Sequence, residues 1–474
     1  MRDSTRVLVI GGGPAGATAA GLLAKEGLEV TLLERERFPR YHIGESILPS
    51  CRPIFELLDV WDKVEAHGFQ AKGGAYFFWG PEEWEVRFTE LGSDESNSGQ
   101  RANAWQVVRS EFDKLLLDHA RELGVDVHEG VSVRELEFDG DRPVAAIWSE
   151  SDNPGAAGRI GFDYLVDASG RHGVMSVRHL RNRRFHDVFR NVAAWSYWRG
   201  AKKLDRGPEG AIAVCSVDDG WFWAIPLHDG TLSVGLVTGR DVFNAKRNEL
   251  GSIQAVYDRA LARCPAVASL LDGATQVGEM KVEQDYSYAA EEFSGPGYFL
   301  CGDAACFLDP LLSTGVHLAT YSAMLAAAAI VSTDRGEVEA EQARRFYSTV
   351  YRHTYERLLV LVSTFYESYR GKEHHFYQAQ RLSHADLGGL DLQSAFDRII
   401  TGIEDMDDAT DVYARVQQHL HGAESGDPNP LANLNKAHEQ RRAPISPEQA
   451  VDGLYLTFYP TFGLRRAMAT VGEQ

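Results

Sequence analysis

Three glycines set the first chemical constraint. Gly11, Gly13 and Gly16 form G-x-G-x-x-G, with Pro14 and Ala15 between the last two. The first glycine permits a tight turn. The second lets a phosphate approach the backbone, and the third lets a helix pack closely on a strand. A pyrophosphate then meets the free N–H groups and positive dipole of the helix start. The pattern follows a β-branched run at residues 6–10 and opens an Ala- and Leu-rich helix over 17–26. A second strand, 29–34, ends in Glu34, near the separation expected of a ribose-binding acid. This is the chemistry of a dinucleotide site.

Two later segments narrow the dinucleotide. Val166-Asp167-Ala168-Ser169-Gly170 and Leu300-Cys301-Gly302-Asp303-Ala304-Ala305 each read as a strand running into Asp and small residues. Such an Asp can accept a hydrogen bond from a ribityl hydroxyl, while Gly302 leaves room for the chain. Taken alone, each Asp would serve equally as a helix cap. The three segments in this order resemble the flavoprotein monooxygenase superfamily, typified by p-hydroxybenzoate hydroxylase. That resemblance implies FAD. Arg109, in Val107-Val108-Arg109-Ser110-Glu111-Phe112-Asp113, matches the superfamily's flavin-contacting arginine. No second dinucleotide fingerprint is present, which argues against a nicotinamide domain.

Trp221-Phe222-Trp223-Ala224-Ile225-Pro226 reads W-x-W-x-I-P and resembles the flavin-dependent halogenases, a branch of the same fold. Alternate indoles on one strand face also suit a core. Beside a flavin, Trp221 and Trp223 would keep an organic substrate from it and block direct oxygen transfer. The resemblance assigns a catalytic lysine to Lys72, in Gly68-Phe69-Gln70-Ala71-Lys72-Gly73-Gly74. Its ammonium could polarise hypochlorous acid, or its amine could form a chloramine. The residues leave both routes open.

Tyr41-His42-Ile43-Gly44-Glu45-Ser46-Ile47-Leu48-Pro49 also resembles this branch, which places Gly44, Glu45 and Ser46 against the flavin. Asp309-Pro310-Leu311-Leu312-Ser313-Thr314-Gly315 opens a long helix, and a helix start is a natural anion site. Family likeness makes Thr314 and Gly315 the chloride site, with Gly315 also beside the flavin.

One departure is informative. Halogenases of free tryptophan carry Glu where this chain has Leu312. A phenol activates its own ring and needs a base less than an indole does. The resemblance therefore implies a halogenase, expected to be a chlorinase, using reduced FAD, dioxygen and chloride. Its expected substrate is a phenolic ring delivered on an acyl or peptidyl carrier protein in natural-product, antibiotic-like biosynthesis. A separate flavin reductase would be its partner. The rival readings are an aromatic hydroxylase of the same fold, a geranylgeranyl-reductase-like flavoprotein, and a flavin-binding scaffold without turnover.

The elements that must position these groups follow from the pattern. The fold class expected is α/β: an FAD-binding Rossmann-like fold of the p-hydroxybenzoate hydroxylase type with a mixed β-sheet substrate region. Residues 1–335 form that module, with the β-rich insertion at about 180–290, and residues 336–474 form an α-helical C-terminal part packed on it. Strands are expected at 125–133, 143–149, 161–166, 210–217, 221–226 and 231–238, and a helix at 113–123. Residues 91–101 read as a polar surface loop, and 427–430 as a turn. The aromatic run at 455–462 is expected to pack back on the body, either as plain core or as a cover over the substrate entrance.

Composition removes other classes. The 474 residues carry 48 basic and 68 acidic side chains, a net charge of −20. Nucleic-acid and anionic-membrane binding both need clustered positive charge. Cys51, Cys215, Cys264, Cys301 and Cys306 are odd in number and form no C-x-x-C. That points to a reduced, cytoplasmic protein with no metal site. The start has no signal-peptide layout, and the apolar stretch 324–331 is too short to span a bilayer. Carrier proteins are usually acidic, so docking would need local basic surface. Arg178, Arg181, Arg183 and Arg184, with His172, His179 and His186, are the first candidate; Arg465-Arg466 is the second.

Overall fold

The computed structural model describes residues 1–88, 104–153, 155–367 and 444–467. Two eight-stranded sheets organise them. In the first, Ser4–Ile10 lies between Val30–Glu34 and Ala157–Asp167, all parallel. Asp126–Glu129 extends one side and Tyr298–Leu300 the other, also parallel. Val7 to Ile10 and all of Val30–Glu34 are buried, as parallel strands covered on both faces require. Helix Pro14–Lys25 follows the glycine turn and packs against helices Arg109–Glu122 and Gly315–Asp334.

The second sheet runs in the order Cys306–Phe307, Thr275–Ala290, Arg183–Arg199, Thr231–Gly239, Gly220–Pro226, Ile212–Val217, Gly74–Trp79, Glu82–Arg87. It therefore recruits strands from outside 180–290. Side-chain alternation makes it a partition. Trp221, Trp223 and Ile225 enter the main core with the flavin-type module. Phe222 and Ala224 enter a second core with Tyr257 and Val267 from covering helices.

Helix Gly315–Asp334 is long and apolar enough to cross a membrane by length and composition, yet 94% of its most apolar window is buried in the protein. The expectation from residues 324–331 understates this helix. Its Thr, Ser, Tyr and His residues weaken the apolar run without making it polar overall. Helix Ala340–Glu367 packs beside it.

The tail departs from the helical expectation. Leu454–Thr457 and Gly463–Arg466 form an antiparallel hairpin. Leu454 and Leu456 are buried while Tyr455 and Thr457 are half-buried, a strand's two-residue period. Ser332 and Arg335 tie the hairpin to the end of the apolar helix: Leu464 N–H donates to Ser332 Oγ at 2.7 Å, and Arg335 donates to Phe462 O at 3.2 Å. Residues 91–101 and 427–430 lie outside the described residues.

Candidate functional site

A cavity of about 610 Å³ opens where the carboxyl ends of the parallel strands meet the second sheet. The glycine turn forms one wall. Gly11 has φ +104°, and a Cβ there would lie 2.3 Å from Ala168 O. A Cβ on Gly16 would lie 1.8 Å from Gly11 O, so this residue serves helix–strand packing and does not face the cavity. Gly13 caps the helix, and Gly11, Gly13, Pro14 and Ala15 line the wall.

Glu34 lines the next stretch, its carboxylate accepting from Gly12 N–H at 2.6 Å and Glu36 N–H at 2.8 Å. Gly302 and Asp303 face it from the later strand end. Burial raises the Asp303 carboxyl, against the nearby charges of Arg171, Arg109 and Arg183.

Arg109 is buried and works as a clasp. It makes a bidentate pair with Asp113, at 2.8 and 2.9 Å, and donates to Ile43 O at 2.7 Å. It thereby fixes the loop that brings Gly44, Glu45 and Ser46 to the cavity. Gly44 has φ +101°, and a Cβ there would approach Arg109 Nη1 to 2.9 Å.

The opposite wall carries Trp195, Trp221 and Trp223, with the Trp223 ring 6.2 Å from each of the other two. Gly235 makes room for Trp223, because a Cβ there would lie 2.1 Å from the indole. Trp223 donates to Ser233 Oγ at 3.2 Å, and Trp221 to Tyr366 OH at 2.7 Å. An indole only donates, so the Tyr366 proton points to Asp309, whose oxygens each lie 3.1 Å away. Asp309 also accepts from Asn191 at 2.8 Å and from Leu311 N–H at 3.1 Å. Burial pushes its carboxyl up to about 6. One buried acid thus anchors both the tryptophan wall and the turn into helix Gly315–Asp334.

That helix presents Ser313, Thr314 and Gly315 to the cavity. Thr314 is buried, and its Oγ1 has no hydrogen-bond partner among the described residues. Gly315 has nothing within 4 Å of where a Cβ would stand. This is a helix N-terminus on the cavity wall, with open space at Gly315 and a buried hydroxyl beside it.

Two further residues stand back from the wall. Asp167 is fully buried, with its carboxylate accepting from Ser169 N–H at 3.0 Å, Ser169 Oγ at 2.5 Å and Met175 N–H at 2.7 Å. It shapes the turn beneath Gly11. Lys72 is buried behind the Glu45 loop, donating to Ile47 O at 3.1 Å, with Phe88 5.3 Å from its ammonium. Burial brings its pKa down to about 7.

The sequence pattern did not disclose Tyr41 and Tyr197. Trp195 donates to Tyr41 OH at 2.6 Å, Tyr41 and Tyr197 hydroxyls lie 2.9 Å apart, and Tyr197 donates to Glu45 at 2.7 Å. Burial pushes the Glu45 carboxyl up to about 7, despite Ser233, Tyr197 and Arg109 nearby.

The glycine cradle, the Glu34 carboxylate and the cavity volume fit FAD. Residues 6–98 and 86–389 match the family model described as tryptophan halogenase. The chain belongs to this family of flavin-dependent halogenases, FAD-using oxidoreductases of natural-product biosynthesis that act on aromatic substrates and typically rely on a separate flavin reductase. It is 46% identical over 415 residues to the tryptophan 2-halogenase of Chondromyces crocatus, covering 86% of this chain and 78% of that protein. It is 41% identical over 384 residues to the sulochrin halogenase gedL of Aspergillus terreus, covering 76% and 69%. The myxobacterial chondrochloren halogenase CndH superposes with a TM-score of 0.75 at 35% identity, over 85% of this chain and 90% of that one. CmlS, a flavin-dependent halogenase, gives 0.73 at 35% identity, over 93% and 77%.

Proposed function

We propose that this halogenase chlorinates a phenolic ring presented on an acyl or peptidyl carrier protein. The observation that carries the phenolic reading is Leu312, a buried apolar side chain where halogenases of free tryptophan bear a carboxylate. A ring attacked without that base must supply its own electron density. Reduced FAD, when bound, would supply with dioxygen the oxidation of chloride; with one proton taken up, the products are oxidised FAD, hypochlorous acid and water.

The chain's residues divide the remaining work. The Gly11–Gly16 turn and Glu34 hold the dinucleotide, and Arg109 holds the Gly44–Ser46 loop against it. Thr314 Oγ and the Gly315 N–H bind chloride. Trp221 and Trp223 keep the ring from the flavin. Glu45 delivers the proton, and the hydroxyls of Tyr197 and Tyr41 reload it; Tyr41 is 45% exposed and is the end of the relay nearest water. Lys72 directs the hypochlorous acid, as a hydrogen-bonding ammonium or as a chloramine, before chlorine replaces a ring proton and water leaves. We read residues 1–335 as the catalytic module and, of the 336–474 part, helix Ala340–Glu367 and the Leu454–Arg466 hairpin as its cover. The five cysteines, all free and buried, support a reducing, cytoplasmic setting.

Of the basic docking surface, Arg183 and Arg184 are committed inward or to acids: Arg183 donates to Arg171 O at 2.6 Å and Arg184 to Glu291 at 2.7 Å. Exposed Arg178 and Arg181, and exposed Arg465 and Arg466, support a carrier contact. The similarity to a tryptophan 2-halogenase makes free tryptophan the competing acceptor.

The test supplies FAD, a flavin reductase and chloride or bromide to three acceptors: a phenol loaded on carrier protein, the same phenol free, and free tryptophan. Intact mass reads the product. The expected result is chlorine on the carrier-borne phenol. Halogenation of tryptophan alone overturns the phenolic reading, and equal rates on free and loaded phenol overturn tethering. Lys72→Ala is expected to lose chlorination while keeping FAD binding and dioxygen consumption.

A further inference from the structure

Outside the flavin cavity, three elements bring metal-ligating side chains to one point. His67 ends helix Trp61–His67. Glu111 lies in the first turn of helix Arg109–Glu122. His228 sits in the turn between strands Gly220–Pro226 and Thr231–Gly239. His67 Nε2 and His228 Nε2 lie 2.8 and 3.2 Å from the same atom, Glu111 Oε2. One ligand atom from each of the three residues lies within 4.8 Å of the others. We propose that His67, Glu111 and His228 form a binding site for a divalent transition-metal ion of the zinc type.

The donor set suits that ion. Two imidazoles and a carboxylate are ligands that zinc takes in tetrahedral sites, at about 2.0–2.2 Å from the metal. Tetrahedral ligation at that bond length sets donors about 3.3–3.6 Å apart. In the metal-free protein, His–Glu contacts hold the donors slightly closer, at 2.8 and 3.2 Å.

The rings are also fixed in advance. Buried Phe69 stacks on His67, with centroids 4.1 Å apart, and meets His228 edge-on at 5.3 Å. The turn bearing His228 is closed by Leu227 N–H to Thr231 O at 2.9 Å and by Thr231 N–H to Asp229 at 3.0 Å. The site is half-exposed, so an ion can enter and a water can complete its shell. His228 Nδ1 is buried without a hydrogen-bond partner among the described residues, so Nε2 is the nitrogen this ring offers. An outer acceptor on a ligating histidine typically strengthens binding about 10–100-fold. Its absence on His228 predicts a dissociation constant weaker than that of fully buttressed zinc sites.

The consequence is mechanical. Glu111 is two residues from Arg109, which clasps the flavin-facing loop. His228 is two residues beyond the Trp-x-Trp strand's Pro226. An ion here would staple the helix behind the flavin to the sheet that walls the substrate side.

The test uses the full chain, stripped with a chelator. Zn²⁺ binding is read by calorimetry and Co²⁺ by visible absorption. The expected result is one ion per chain at this site, with the intense bands of tetrahedral Co²⁺ and a Zn²⁺-dependent rise in Tm. His228→Ala and Glu111→Gln, each with the metal-free Tm of the parent, are expected to weaken binding at least about tenfold and to lose the Tm rise. His128→Ala, at a histidine outside the cluster, leaves both unchanged. No uptake of Zn²⁺ at sub-millimolar concentration overturns the proposal. So does uptake that survives both His67→Ala and His228→Ala.

Discussion

Glu45 and Lys72 both titrate near neutrality, and for opposite reasons. Burial favours the neutral form of each, so the carboxyl rises to about 7 and the ammonium falls to about 7. The raised carboxyl contributes stability that is full below its unfolded value and is lost as pH rises through about 7. Lys72 contributes stability above its unfolded value, lost as pH falls through about 7. Glu45→Gln is therefore expected to stabilise the protein at pH 8 by about 3 kcal/mol and to change it little at pH 4, read by Tm at both pH values. Tyr197→Phe keeps the carboxyl but cuts the relay. It should slow chlorination by about 10²-fold or more, in the range of a lost proton-transfer group, with FAD affinity unchanged. A Tyr197→Phe enzyme that chlorinates at the parent rate would remove the relay from the mechanism.

The glycine turn was legible at the scale of elements because its chemistry is local. Gly11, Gly13 and Gly16 adjoin in the chain the strand and helix they join, so spacing alone exposes them. The W-x-W strand was legible for the same reason: its period of two places both indoles on one face. Asp167 was not. Its type and place at a strand end suit a ribityl contact and a turn cap equally, and the side chain takes the turn. Tyr41, Tyr197 and Tyr366 were hidden because each meets its partner across elements far apart in sequence. The tail hairpin was masked by apolar residues that suit either period, with Gly453, Pro460 and Gly463 bending it back. The cysteine count argued against a zinc site, but a His–Glu–His cluster assembled from three elements leaves no trace in cysteine spacing. Close packing between elements also yields a prediction. Gly235→Ala pushes against the Trp223 ring and should cost about 1–3 kcal/mol. It should also release hypochlorous acid to a solution trap, with FAD still bound. Full coupling of dioxygen use to chlorination in Gly235→Ala would show that Trp223 does not control that wall.

For the whole molecule, the charge of −20 changes meaning once a partner is considered. It would repel an acidic carrier of the kind proposed at long range, so exposed arginines would have to supply the local attraction. Arg465→Glu with Arg466→Glu is expected to raise KM for the carrier-borne ring several-fold while leaving the free phenol unaffected; equal effects on both acceptors would place the contact elsewhere. Burial raises the carboxyls of Glu45 and Asp309 and lowers the Lys72 ammonium, marking where this charged chain keeps its interior dry. Helix Gly315–Asp334 belongs to that interior, and it has a consequence during synthesis. It emerges from the ribosome ahead of its covers, helix Ala340–Glu367 and the Leu454–Arg466 hairpin. For that interval the nascent chain displays a segment with the length and hydropathy of a membrane span. Its safe passage depends on whatever shields apolar helices at the tunnel exit. A chain stalled with Asp334 just clear of the exit tunnel should therefore be recovered bound to chaperones, whereas one released after the hairpin should emerge free.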